Sequence, residues 1–322
     1  GKYYYLMCAE GGTGEWHSEV ILRSKSPMGP FEEYSGNPIL TQRTGLDPQR
    51  DDYVSSAGHA DIVQTPKGDW WAVFLACRPY DKDKYYNTGR DTYMLPVTWK
   101  DGWPVILEKG KAIPTVVDYK GGIIAPQTPE TAYRTGNFSY TDRFGGDKLN
   151  VRWLALRNPK TDFYTLSANG LRIKPLPVNI TQRENLSALF TPQQHTTFTA
   201  ETCLDFAPAS QKDFAGFALL QNESYNFTFG KTKLKDGSVA IVLTRTEKTP
   251  VAVSTVVLKN GEAQQPVRLK ISGDGGLYDF YYALSDGNWH LMAKGVDATN
   301  LTTNRSGGFI GACIGLYATS NN

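Results

Sequence analysis

Apolar and polar residues alternate with a period of two in many short stretches of this chain. VRLKIS (residues 267–272) is one example, and FTAETCLDF (198–206) and VAIVLTR (239–245) repeat the alternation. Because successive side chains of a strand point to opposite faces, this pattern predicts half-buried strands. Asp286-Gly287 lies between two further strand-like runs and predicts a hairpin. No stretch has a convincing helical period, so the second half of the chain is predicted to be an antiparallel β-sandwich.

The first third of the chain has short strand patterns separated by turns and long polar loops. HADIVQTPKGDWWAVFLACR (59–78) predicts two strands joined by a turn at residues 66–69. DTYMLPVTWKDGWPVI (91–106) repeats this arrangement with a turn at Asp101-Gly102. Short antiparallel units joined by long loops are typical of the blades of a propeller.

These sequence patterns divide the chain into three parts. Residues 1–107 are predicted to form blades, and residues 139–322 are predicted to form the sandwich. Between them, residues 108–138 contain prolines and glycines and show little alternation, so they are predicted to be a linker.

Composition excludes several classes of partner. The net charge of +2 argues against a nucleic acid or an anionic membrane surface as the partner. No apolar run approaches the roughly 20 residues of a membrane-spanning helix. Aromatic residues make up 12% of the chain, which suits sheets and also suits stacking on the C–H faces of sugars, although most such rings belong to a core.

Cysteines and histidines give little sign of metal or redox chemistry. The cysteines at positions 8, 77, 203 and 313 form no C-x-x-C pair, and free buried thiols are predicted. No cluster has the spacing of metal ligands. His17 and His59 stand at strand entries next to loops, where a histidine more often contacts a backbone carbonyl than performs chemistry.

The carboxylates near loops are the stronger chemical candidates. A site that cleaves a glycosidic bond needs one carboxyl group as acid and one as base, and Glu10, Asp61 and Asp91 lie near predicted loops. Arg90 precedes Asp91, and a neighbouring guanidinium keeps a carboxylate ionised. A solvated Arg90–Asp91 loop pair fits the same spacing.

Several longer stretches together resemble the β-xylosidases and α-L-arabinofuranosidases of glycoside hydrolase family 43. They are YYYLMCAEGGTGEWHSEVILRSKSPMGPFEEYSGNPIL, AGHADIVQTPKGDWWAVFLACRP and GRDTYMLPVTWKDGWPVI. The second half, from TDRFGGDKLNVRWLALRNP to GGFIGACIGLYA, resembles the concanavalin-like β-sandwich that accompanies this subgroup. The resemblance covers nearly the whole chain and implies an all-β protein, a partial five-bladed β-propeller followed by that sandwich.

The resemblance also implies where the catalytic groups lie. The family is inverting and uses an Asp base, an Asp that tunes pKa values and a Glu acid in a Glu-Gly-Pro motif just upstream of the strand matching residues 3–9. We therefore expect no catalytic base or acid in this chain, and Glu10 does not match the acid. The chain is expected to begin in a hairpin turn whose first strand is missing, and to contain the last two blades and the sandwich.

Four residues of this chain match functional positions of the family. His59 matches a histidine near the propeller axis that organises the site and in some relatives reaches a bound ion, often calcium, through water. Arg90 matches the arginine that lies against the catalytic carboxylates and the sugar. Phe309 matches an aromatic residue of the sandwich that closes the substrate pocket, and His17 matches a histidine without a specified role. No cofactor is required by this chemistry.

The resemblance implies an exo-acting, inverting glycosidase that releases terminal xylose or arabinose from xylan-derived oligosaccharides, with this chain as its C-terminal part, inactive alone. The missing blades are expected in the same polypeptide or in another chain. The alternative is a non-catalytic carbohydrate-binding or structural module. An unrelated lectin-like sandwich does not explain residues 1–107. The choice between xylose and arabinose, the compartment (periplasm, extracellular space or cytoplasm) and association of identical chains stay open.

Overall fold

The chain divides into two compact units, Gly1–Ile124 and Ala125–Asn322. The computed structural model describes residues 2–50, 53–81, 84–118, 136–259 and 261–320. Nearly every regular element in these ranges is a β-strand, which confirms the all-β prediction. Much of the linker predicted over residues 108–138 lies outside the described residues, at 119–135.

The first unit consists of small antiparallel sheets. One has the order β1-β2-β3 with β4 also paired to β2, the second has the order β5-β6-β7, and β8 pairs with β9. The strands are β1 (Tyr4–Glu10), β2 (Ser18–Ser24), β3 (Glu32–Glu33), β4 (Leu40–Thr41), β5 (Ser55–Gln64), β6 (Trp70–Cys77), β7 (Asp91–Pro96), β8 (Thr98–Lys100) and β9 (Trp103–Val105).

Both turns predicted in this unit are present. Between β5 and β6 the amide of Thr65 donates to the carbonyl of Asp69 at 2.7 Å. Between β8 and β9, Asp101 and Gly102 have φ values of +50° and +75°, which is the left-handed conformation that a tight hairpin turn requires. The sheets bury a shared apolar core, whose most deeply buried members are Ile21, Ile39, Leu40, Ala57, Ala72, Phe74, Ala76 and Leu95.

The second unit is a two-sheet β-sandwich with a small additional hairpin, β11-β12. The larger sheet has the order β10-β13-β22-β15-β16-β17-β18 and the smaller has the order β14-β19-β20-β21. The elements are β10 (Leu154–Ala155), β11 (Tyr164–Ser167), β12 (Gly170–Ile173), β13 (Ser187–Pro192), β14 (Thr197–Leu204), β15 (Phe214–Asn222), β16 (Tyr225–Lys233), β17 (Val239–Glu247), β18 (Thr249–Val257), β19 (Val267–Asp274), β20 (Leu277–Ala283), β21 (Trp289–Asp297), a 3₁₀ helix (Thr299–Leu301), α1 (Thr303–Ser306) and β22 (Cys313–Thr319).

The sandwich core lies between the two sheets and follows the predicted alternation. Val267, Leu269 and Ile271 on β19 are fully buried against Phe229 of the larger sheet and its neighbours. The hairpin at Asp286-Gly287 joins β20 and β21 as predicted. Alternate burial along each strand is the arrangement that two packed sheets produce.

Two glycines face each other where β15 and β16 pair. Gly216 lies opposite Gly230 in the register of these strands. A Cβ on Gly230 would lie 2.1 Å from the carbonyl oxygen of Ala215, and a Cβ on Gly216 would lie 2.2 Å from that of Phe229. Backbone atoms of the neighbouring strand occupy the space that any larger side chain would need.

Strand β22 is an interior strand of the larger sheet. It pairs with β13 on one side, where Ser187 lies opposite Ala318, and with β15 on the other, where Phe214 lies opposite Thr319. The sheet therefore joins segments that are more than 100 residues apart along the chain.

The only helices in the described ranges are the 3₁₀ helix and α1, which form single turns near residue 300. One sequence-based expectation is wrong in detail. All four cysteines are free thiols, but Cys203 is exposed because it lies on the outward face of β14, whereas Cys77 is fully buried. Among the described helices, none is long or apolar enough to cross a membrane.

Candidate functional site

Strand β5 is irregular where it carries His59. Its pairing with β6 shifts register between Ser55 and Gly58 and again between Gly58 and Asp61. Ser56 and His59 have φ values of +57° and +56°, which is an uncommon conformation for residues with a side chain and one that clusters at functional sites. These irregularities re-aim the side chains of β5, and His59 is exposed.

His17 is buried against this bent strand. Its Nδ1 lies 3.1 Å from the carbonyl oxygen of Ser56, and because a carbonyl only accepts, Nδ1 carries the proton. A Cβ on Gly58 would lie 2.8 Å from Cδ2 and Nε2 of the His17 ring. Burial lowers the pKa of His17, and the positive charges of Arg90 and His59 lower it further. The structure therefore brings His17, His59 and Arg90 close together.

The lowered pKa of His17 predicts a dependence of stability on pH. The folded chain favours neutral His17, so its contribution to the free energy of unfolding is present above the ordinary value of 6.5 and is lost as the pH falls through the lowered value. Urea unfolding of the chain at pH about 7.5 and about 5 should show a loss at the lower pH. His17→Gln should make that loss smaller, and an equal loss in both chains would contradict the prediction.

Glu19 is a buried carboxyl group that the sequence analysis missed. Its side chain lies on β2 and is 2% exposed, and its Oε2 accepts from the amide of Ala60 at 3.1 Å. Burial raises the pKa of Glu19, whereas the amides of Ala60 and His59 and the charge of His59 oppose this rise, and Asp61 adds to it. An acidic residue directly before the apolar run Val20-Ile21-Leu22 was the available signal. The carboxyl group of Glu19 therefore holds the backbone of β5 at two successive amides, those of His59 and Ala60.

Arg90 precedes β7 and does not form the main ion pair of Asp91. Its Nη2 donates to the carbonyl of Thr13 at 3.4 Å. The carboxylate of Asp91 is held from β6 by Arg78, with Nε 2.6 Å from Oδ2 and Nη2 3.3 Å from Oδ1. This bidentate contact raises the pKa of Arg78. Asp91 is therefore the ion-pair partner of Arg78 on β6.

The other candidate carboxylates do not form an acid–base pair either. Oε1 of Glu10 accepts from Arg43 Nη2 at 2.7 Å and from Ser18 Oγ at 2.9 Å. Asp61 is exposed on β5. Glu10 is therefore the ion-pair partner of Arg43. Asp61 is a surface acid whose negative charge adds to the raised pKa of Glu19.

The described residues do not by themselves form a metal site. Within the described ranges no three His, Cys, Asp or Glu side chains lie close enough together to hold an ion. Calcium takes six to eight oxygen ligands, so His59 cannot hold it alone. An ion reached from His59 through water stays a prediction.

Phe309 lies in the second unit on a loop that follows α1. Gly307 and Gly308 have φ values of +75° and +80° and turn the chain outward. Phe309 and Ile310 are 60% and 63% exposed. The buried Gln221 donates its Nε2 to the carbonyl of Ile310 at 2.8 Å, so the loop is anchored beside an exposed ring.

The chain matches two protein families in succession. Residues 1–104 match the family described as glycosyl hydrolases family 43. Residues 141–322 match the family described as the β-xylosidase C-terminal concanavalin A-like domain.

Curated relatives align with nearly the whole chain. A non-reducing end α-L-arabinofuranosidase of Bacteroides ovatus is 33% identical over 326 residues, covering 100% of this chain and 58% of that protein. A xylosidase/arabinosidase of Butyrivibrio fibrisolvens is 32% identical, covering 99% of this chain and 59% of that protein. A β-xylosidase of Bacillus subtilis is 29% identical, covering 98% and 60%. The chain thus spans about three fifths of the length of these relatives.

Solved structures agree with this match. The Bacteroides ovatus protein "Xyloglucan PUL GH43B" superposes with a TM-score of 0.82 at 30% identity, covering 100% of this chain and 60% of that one. The Bacillus licheniformis protein BlXynB superposes with a TM-score of 0.81 at 29% identity, covering 99% and 59%. The predicted fold class, propeller blades followed by a concanavalin-like sandwich, is confirmed by these likenesses.

Proposed function

The chain belongs to glycoside hydrolase family 43, and we propose that it is the C-terminal part of an exo-acting, inverting glycosidase that releases terminal xylose or arabinose from xylan-derived oligosaccharides. One observation carries this proposal: the two family matches follow each other along this chain. Relatives that align with nearly the whole chain are named as xylosidases and arabinofuranosidases. In this proposal the acid, the base and the pKa-tuning Asp belong to a segment outside the chain, as the resemblance to the family implies.

In this proposal the residues of the chain support a site whose carboxylates come from elsewhere. Carboxylates crowded at one place repel each other, and the guanidinium of Arg90 offsets that repulsion and donates to the sugar. His59, on the bent part of β5, helps to organise the site. Phe309 closes the pocket and excludes water, which strengthens the electrostatic interactions inside it.

The proposal predicts that the 322-residue chain is inactive alone. It should not hydrolyse aryl β-xylosides or aryl α-L-arabinofuranosides, whereas the polypeptide that includes the upstream segment should hydrolyse at least one of them. The measurement is release of the aryl group by both proteins at equal concentration, with NMR of the first-formed sugar anomer to test inversion. Turnover by the 322-residue chain at a rate comparable to the longer polypeptide would place an acid and a base inside it.

A non-catalytic carbohydrate-binding module is the second candidate. It is favoured by the ion pairs that occupy Glu10 and Asp91, through Arg43 and Arg78. The same experiment separates the two functions. If neither protein releases the aryl group and both bind pentose oligosaccharides, the chain is a binding module.

A further inference from the structure

The connection between β1 and β2 presents a large apolar side chain to solvent. Six of the seven residues of this connection, 11–16, are exposed, whereas His17 is buried, and Trp16 is 67% exposed. It is the most exposed of the seven tryptophans, since Trp99 follows at 37%. Single exposed apolar residues are common on protein surfaces. The contacts that hold the backbone around Trp16 therefore decide whether it is a binding residue.

The loop closes tightly under the indole. Gly11 and Gly12 have φ values of +74° and +73°. A Cβ on Gly11 would lie 1.9 Å from the carbonyl oxygen of Trp16, so only glycine allows this approach. The amide of His17 donates to the carbonyl of Gly14 at 2.9 Å and closes the turn. The backbone that carries the indole is therefore held in one conformation.

Two arginines from other segments fix the same loop. Arg43 donates its Nη1 to the carbonyl of Trp16 at 2.8 Å, and Arg90 donates its Nη2 to the carbonyl of Thr13 at 3.4 Å. Burial lowers the pKa of the neighbouring His17, and the charge of Arg90 adds to this effect. The framework that holds Arg90 and His17 together thus also carries Trp16.

We propose that Trp16 is a stacking residue for the part of a pentose oligosaccharide that lies beyond its terminal sugar. This proposal rests on the proposed function, because that function defines the ligand as a pentose oligosaccharide. An indole offers a flat apolar face and one N–H donor, which complement the C–H face and the hydroxyl rim of a pyranose ring. The indole has only two side-chain torsions and its loop is already ordered, so binding a sugar there costs little conformational entropy.

The direct test is binding by the 322-residue chain, with xylotriose and xylose as probes. Saturation-transfer NMR and a titration should show binding of xylotriose that is stronger than that of xylose. Trp16→Ala should weaken xylotriose binding by about tenfold or more. Trp16→Phe should retain part of it and Trp16→Leu should not. The control is Met28→Ala, because Met28 is 91% exposed on a different loop, and it should change nothing.

Four outcomes would overturn the proposal. They are a wild-type chain that does not bind xylotriose, a Trp16→Ala chain that binds it like wild type, full retention by Trp16→Leu, and an equal loss in Met28→Ala. Full retention by leucine would instead indicate a surface that another protein segment covers. Hydrolysis is not needed for this test, so a chain that binds through Trp16 while the longer polypeptide cleaves no aryl pentoside would reject the proposed function and leave this inference standing.

Discussion

Replacing Arg90 by alanine is expected to lower kcat/KM for aryl pentosides by about 10²-fold or more in the polypeptide that contains the upstream segment. The variant loses a cation that, in the proposed function, contacts both the site carboxylates and the sugar. A carboxylate that loses its cation has a higher pKa, so the acidic limb of the pH profile should move to higher pH. Steady-state kinetics across the pH range make this measurement.

The same variant can be followed in the 322-residue chain without any turnover. Because the charge of Arg90 lowers the pKa of His17, Arg90→Ala should raise that pKa, although burial keeps it below 6.5. An NMR titration of the imidazole measures the change. Arg78→Ala is the matched control, since Arg78 holds Asp91 and does not contribute to the pKa shift of His17. An unchanged His17 pKa together with unchanged kinetics would show that Arg90 has only a structural role.

Gly230→Ala is expected to destabilise the sandwich by about 3 kcal/mol or more. The added methyl carbon would lie 2.1 Å from the carbonyl oxygen of Ala215 and 2.8 Å from the Cα of Gly216. Both are backbone atoms of the paired strand β15, so relief requires β15 and β16 to separate in the middle of a seven-stranded sheet. Urea unfolding of the whole chain, monitored by far-UV circular dichroism, measures the loss.

The control for this prediction is Gly261→Ala in the same unit. Nothing lies within 4 Å of a Cβ built on Gly261, and alanine there should leave the unfolding curve unchanged or slightly stabilised through the unfolded state. A Gly230→Ala chain that unfolds at the same urea concentration as wild type would show that the two strands are farther apart than described.

Much of the strand pattern could be predicted because it depends on local alternation. Leu269 and its neighbours on β19 are buried as their period of two predicts, and the turn at Asp286-Gly287 needs only its own sequence. The same rule also holds at Cys203, which shares the exposed face of β14 with Thr199 and Glu201. The prediction of a buried thiol followed the general preference of cysteine for the interior and not this alternation.

The candidate site was less predictable because it depends on pairing between distant segments. Asp91 was interpreted through its neighbour Arg90, but the register of β6 and β7 places it beside Arg78, thirteen residues away. The sequence around Glu19 predicts a surface residue, but β5 packs over it and buries it. His17 and His59 were found through resemblance, and no local pattern predicts that a bend in β5 brings them together.

The interior position of β22, between β13 and β15, has a consequence for how the chain is made. Its partners β13 and β15 lack their shared neighbour until residue 319 has left the ribosome. The first unit, which ends at Ile124, is synthesised far earlier. At a translation rate of ~5–20 residues per second, the interval is roughly ten to forty seconds. The first unit therefore has time to fold during synthesis, whereas the larger sheet of the sandwich closes only after translation has passed its final strand.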